Sequence, residues 1–107
     1  MNYRVYKYAT KPGVFELELP VDAEGLYFHA DPMQIPCLWV RLDIDAPKVK
    51  CVFVVVGTGH PAPEPEQSEY VGSCMGQGGR FIWHLFQVYG RVDHLTNATW
   101  GDTEEMR

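Results

Sequence analysis

A chain of 107 residues, 46% hydrophobic and 21% charged, holds enough apolar material for one core without a metal or a disulfide to staple it. Its formal charge of −5, from 14 acidic and 9 basic side chains, lacks the concentrated Lys/Arg surface that phosphate neutralisation needs, so direct nucleic-acid binding is not expected. No apolar run approaches the ~18 residues of a membrane span and no charged-then-apolar leader opens the chain, which points to a cytosolic protein off the membrane.

Tyr3 to Tyr8 alternates in an aromatic-rich opening strand that Lys11, Pro12 and Gly13 end. Phe15, Leu17 and Leu19 then alternate with Glu16 and Glu18, a period of two with one wet face. A turn at Val21–Gly25 leads to a short strand, Leu26–Ala30, which Asp31 and Pro32 break. Pro36–Asp43 is a fourth strand with Leu38, Val40 and Leu42 on one face and Trp39 and Arg41 on the other. The polar stretch Asp43–Lys48 reads as a hairpin loop, with Asp43 and Asp45 flanking it.

The stretch from Val52 to Val56, closed by Gly57, Thr58, Gly59, His60 and Pro61, reads as a buried central strand entering a sharp turn. Pro61–Glu69 is proline-rich and acidic, an extended loop expected to be solvated rather than packed. Tyr70–Met75 is a sixth strand, the glycines at 76, 78 and 79 a hairpin turn, and Phe81–Tyr89 a seventh strand and the second central one. About seven short strands separated by turn signals predict an all-β protein, a single antiparallel β-sandwich or small barrel. Each connection is too short for a parallel crossover. The β-domain is expected over residues 1–89, with an irregular tail over 90–107 in which Trp100 is the residue to dock. Cys37, Cys51 and Cys74 form no close pair and read as reduced thiols, a Cys37–Cys51 bridge requiring their strands to align.

Several motifs occur in one order: Pro36-Cys37-Leu38-Trp39, then Asp43 with Asp45-Ala46-Pro47, then Gly57-Thr58-Gly59-His60-Pro61, then Tyr70-Val71-Gly72, then Phe81-Ile82-Trp83-His84-Leu85-Phe86. From Tyr3 to Phe86 the chain resembles a family of small phage and prophage proteins with the same progression of Leu-Trp strand, Asp-Ala-Pro loop, Gly-Thr-Gly-His turn and His-containing apolar strand. The resemblance carries no established activity. It implies a phage-type accessory protein, and interference with a host defence is one role such proteins take.

The glycines of Gly57-Thr58-Gly59-His60 let backbone N–H groups turn toward an anion, with the Thr58 hydroxyl and His60 imidazole adding contacts. A phosphate loop that opens a helix is ruled out by Pro61 and Pro63, and a plain turn accounts for the same residues. His84 alternates with Trp83 and Leu85 and shares its face with Ile82 and Phe86, as a buried hydrogen-bonded histidine or a pocket-rim imidazole. His29, His60, His84 and His94 include no His-x-His pair and the cysteines no Cys-x-x-Cys, so neither metal nor cofactor is expected. Thr58, Ser73 and Cys74 are nucleophile candidates without a nucleophile elbow, which makes an enzyme the weaker reading.

The residues point to a non-catalytic cytosolic binding protein, and the resemblance implies that the cytoplasm is a host cell's. Its partner would be a host protein or a small anionic ligand such as a signalling nucleotide, with homo-oligomerisation open. Ligand binding is expected at Gly57, Thr58, Gly59 and His60, with Arg80, Trp83 and His84 nearby; Trp39 and Arg41 are the expected partner contacts. The alternatives are a virion assembly component, using strand edges and aromatics, and a small histidine-dependent enzyme.

Overall fold

Alternation and β-branched runs do become strands. The computed structural model of the chain describes residues 1–76 and 79–89, which hold seven strands and no α-helix. In chain order these are β1 (Tyr3–Ala9), β2 (Gly13–Pro20), β3 (Glu24–Ala30), β4 (Pro36–Asp43), β5 (Lys48–Gly57), β6 (Ser68–Gly76) and β7 (Phe81–Val88). They form a three-stranded sheet, β1-β4-β3, and a four-stranded sheet, β2-β5-β7-β6, in which all neighbouring strands are antiparallel. The architecture is an antiparallel β-sandwich, and the two most apolar runs, β5 and β7, lie side by side at the centre of the larger sheet. The tail expected over 90–107 lies outside the described residues.

The core follows from the period of two. Phe28, Leu38, Val40 and Leu42 of the smaller sheet meet Phe15, Leu19, Phe53, Val55, Trp83 and Leu85 of the larger one, all of them buried. Phe15 and Phe53 face each other across β2 and β5 and stack with ring centroids 5.5 Å apart. Along one side the edge strands β3 and β6 come together where each carries a β-bulge, between Gly25 and Tyr27 and between Tyr70 and Gly72. A Cβ on Gly72 would stand 3.3 Å from the Phe28 Cβ, so glycine is what allows the two edges to approach this closely.

Two connections differ from the sequence reading. The Asp43–Lys48 stretch is not a hairpin loop: it carries the chain from the smaller sheet to the larger one, and Asp43 Oδ1 accepts hydrogen bonds from the N–H of Asn2 (3.1 Å) and of Asp45 (3.0 Å). More consequentially, β5 and β6 run parallel with β7 between them, because each pairs antiparallel with β7, Val52 and Ser68 both standing opposite Val88. Residues 58–67 therefore make the parallel crossover thought too short to form. At ~3.3 Å per extended residue they reach the length of β7 without a helix.

The crossover is pinned at both ends, by Thr58 N–H to Ile82 O (3.3 Å) and by Tyr89 N–H to Gln67 O (2.7 Å). Its path lies on the outer face of the larger sheet, since the inner face is filled by Trp83 and Leu85. Most of it is exposed, as its acidic composition suggests, but Pro63 is buried, and the outer-face side chains Val54, Val56 and Val88 are buried too. A short 3-10 turn at Pro65–Gln67 ends it. All three cysteines are free thiols.

Candidate functional site

Alternation along β7 sends Phe81, Trp83 and Leu85 inward and His84 outward, onto the face that carries the crossover. There both ring nitrogens of His84 are engaged. Nε2 lies 2.8 Å from Thr58 Oγ1 and Nδ1 lies 2.6 Å from Ser73 Oγ, which is in turn hydrogen-bonded to the Tyr70 hydroxyl. The β6–β7 register puts Ser73 directly opposite His84, and the bulge in β6 brings Tyr70 to the same face despite its odd spacing from Ser73. The Tyr70 ring also meets Phe86 edge-on at 5.4 Å.

Desolvation lowers the pKa of His84 below its ordinary value of 6.5, so the imidazole is neutral near pH 7. A neutral imidazole has one N–H and one lone pair, so it donates to one hydroxyl and accepts from the other. The result is a four-residue polar row across β5, β7 and β6. Among the described residues no carboxylate is bonded to it.

The Gly57–His60 turn closes with His60 N–H donating to Gly57 O (3.1 Å), and Gly59 takes φ +93°, a region that favours glycine. Gly57 itself is buried at the end of β5, and Thr58 spends its hydroxyl on His84. His60 Nε2 is covered and has no hydrogen-bond partner among the described residues. The turn thus brings Thr58 to His84. Trp83 does not join them: it points to the opposite face, 6% exposed, because adjacent strand residues alternate. Arg80 sits exposed in the turn before β7.

The other expected contacts, Trp39 and Arg41, do face outward, on the smaller sheet. Directly opposite Trp39 stand Lys7 on β1 and Tyr27 on β3. Lys7 Nζ lies 5.8 Å over the Trp39 ring, Tyr27 stacks on His29 at 5.0 Å, and Arg41 pairs with Glu24. Tyr3, Val5 and Tyr27 are 57%, 58% and 54% exposed on this face, while the Trp39 indole N–H is covered and has no partner among the described residues.

Buried Asp31 braces the end of the face. Its Oδ1 accepts from the N–H of Met33 (2.9 Å) and Ile35 (3.0 Å), and its Oδ2 accepts from Lys7 Nζ (3.2 Å). The Ile35 N–H above all, with Lys7 and the Met33 N–H, holds this carboxyl below the usual range against the opposing effect of desolvation. Burial pushes the Cys74 thiol up to about 11, and the Cys37 thiol upward as well, so neither is a ready nucleophile.

Sequence reasoning missed Tyr70 as a partner of the row and Lys7, Tyr27 and His29 as neighbours of Trp39. Ser73 stands opposite His84 because β6 and β7 pair Gly76 with Phe81, a register that the glycine turn alone leaves open, and the order of strands in the smaller sheet has no local signal either.

Fold and site together define a two-sheet β-sandwich with a hydroxyl–imidazole row on one outer face and an open aromatic face on the other. The chain belongs to the DUF7352 family, a domain of unknown function, whose model matches residues 1–95. Neither a curated protein nor a solved structure matches it.

Proposed function

We propose that this protein is a non-catalytic binding module that docks a protein partner on the outer face of its three-stranded sheet. The observation that carries the reading is the open row of Tyr3, Val5, Trp39 and Tyr27, with Lys7 and Arg41 interleaved. Aromatic and cationic side chains of this kind supply most of the energy in protein interfaces. Hydroxyls on both His84 nitrogens are also how a nucleophile sits beside its base, but among the described residues no carboxylate is bonded to the ring to orient it, so the reading rests on the open face. The resemblance to phage accessory proteins makes a host-cell protein the partner class, with interference in host defence as the role and the host cytoplasm as its place.

Capture from host lysate by the tagged chain, with Tyr27→Ala/Trp39→Ala as the test variant and Ser73→Ala as the control, tests this. The reading expects a stoichiometric partner on wild type and Ser73→Ala that the double variant loses while keeping its circular dichroism spectrum. A partner held equally by the double variant refutes it.

A second reading, capture of a small anionic ligand such as a nucleotide at the Gly57–His60 turn, is favoured by the covered His60 Nε2, which has no partner among the described residues. Native mass spectrometry with a nucleotide panel separates the two, since a bound mass lost in His60→Ala supports the turn. A virion assembly role would instead use the uninterrupted free edge of β1, and self-association in sedimentation would be its sign.

A further inference from the structure

The sandwich is open at the end where the β1–β2 turn, the β3–β4 loop and the start of β7 meet, and the opening leads into a cavity of about 350 Å³. Phe81 and Trp83 wall it, with ring centroids 5.6 Å apart and planes tilted by 31°. Gly76 adjoins them: a Cβ there would stand 2.7 Å from Trp83 Nε1, so a larger residue would drive the indole from its place in the wall. Lys11 and Gln34 supply polar groups to the lining, and Lys11 is the ionisable side chain among the described lining residues.

Gln34 occupies the left-handed region at φ +66°, where glycine would be easier. It is held there by its N–H bond to Asp31 O (2.8 Å), inside the loop that the Asp31 carboxylate braces. A second cavity, of about 390 Å³, lies elsewhere between the sheets and is lined by Asp22, Glu24 and Glu69. The two cavities thus differ in charge: one presents carboxylates, the other an ammonium beside aromatic rings.

We propose that the cavity beside Trp83 is a small-molecule site for a planar aromatic ligand bearing one negative charge. The ring would lie against Phe81 and Trp83, the anionic group would meet the Lys11 ammonium, and the Gln34 amide would hydrogen-bond the ligand's polar edge. The volume suits a one- or two-ring ligand, at the small end of the ~300–1,000 Å³ range of ligand pockets. The strain at Gln34 is accounted for by its side chain having a use that glycine could not serve. The proposal stands apart from the docking face, which lies on the outside of the smaller sheet.

The test follows the Trp83 indole N–H resonance in ¹⁵N–¹H spectra of the full chain, titrated with 2-naphthoate and with its neutral analogue 2-naphthamide. A saturable shift with 2-naphthoate, weakened about tenfold or more in the amide and in Lys11→Glu, is expected. Gln34→Gly should weaken binding while raising the melting temperature, an opposition of sign that a purely structural role would not produce. No Trp83 shift at millimolar naphthoate, or equal affinities for acid and amide, overturns the proposal. So does Lys11→Glu binding naphthoate as tightly as wild type.

Discussion

His84 makes the polar row a source of acid sensitivity. Its folded pKa lies below the ordinary 6.5 because the part-buried ring is desolvated, so below that pH the unfolded chain binds more protons than the folded one. Stability from this group is complete above pH 6.5, falls as pH drops below it, and stops falling once the pH is under the folded pKa. One group can impose at most about 1.4 kcal/mol per pH unit. The ring is only part-buried, so solvent screening keeps the loss between pH 6.5 and 5.5 below that ceiling, and the expected sign is a falling melting temperature. His84→Gln keeps a donor and an acceptor for Thr58 and Ser73 but cannot titrate. Thermal melts of both proteins from pH 7.5 to 5 isolate the effect, since every other titrating group is common to the pair. If the two melting temperatures run parallel over that range, the assignment of a neutral, desolvated His84 is wrong.

Three further perturbations test the fold that carries the sites. Gly72→Val should cost about 1–3 kcal/mol in urea unfolding, because its side chain would press on Phe28 where the bulged edges meet. Asp31→Ala should lower the melting temperature and speed hydrogen exchange at the Met33 and Ile35 amides, the two N–H groups that lose their acceptor. Pro63→Asp should loosen the crossover and raise the exchange of the Tyr89 amide, which is bonded to Gln67 at its far end, while leaving the β4 amides protected.

The strands were legible because half-buried strands write their faces into the chain: Phe15, Leu17 and Leu19 against Glu16 and Glu18 leaves one arrangement open. Alternation says which face a residue takes, not which sheet its strand joins. That is why the Asp43–Lys48 passage between sheets resembled a hairpin loop. The crossover was hidden for a different reason. Its acidic residues read as solvated, yet Pro61, Pro63 and Pro65 bring apolar rings and no N–H, so this backbone can cover a sheet with fewer donors left to satisfy. Within the candidate site, the pairing of His84 with Ser73 depends on the register of β6 on β7, which the glycines at 76, 78 and 79 leave open. The contribution of Tyr70 depended on a bulge that no local pattern announces. Trp83 was separable from His84 by alternation alone, and joining them set proximity in sequence above the geometry of a strand.

The crossover also decides which surface is left to bind. Pro63 of the crossover is buried, as are Val54, Val56 and Val88 on this outer face, and the crossover supplies Thr58 to His84. No described connection crosses the outer face of the smaller sheet in the same way: β3 and β4 are joined by a hairpin, and the other links from β1, β3 and β4 lead into the larger sheet. Tyr3, Val5 and Tyr27 thus stay more than half exposed, on a strand pattern that elsewhere in the chain is spent on burial. An isolated exposed aromatic needs no explanation, but a row of them around a Trp39 whose N–H is already desolvated is the surface on which the least further burial yields the most contact. If Tyr27→Ala/Trp39→Ala leaves partner capture intact, the uncovered edge of β1 becomes the next surface to test.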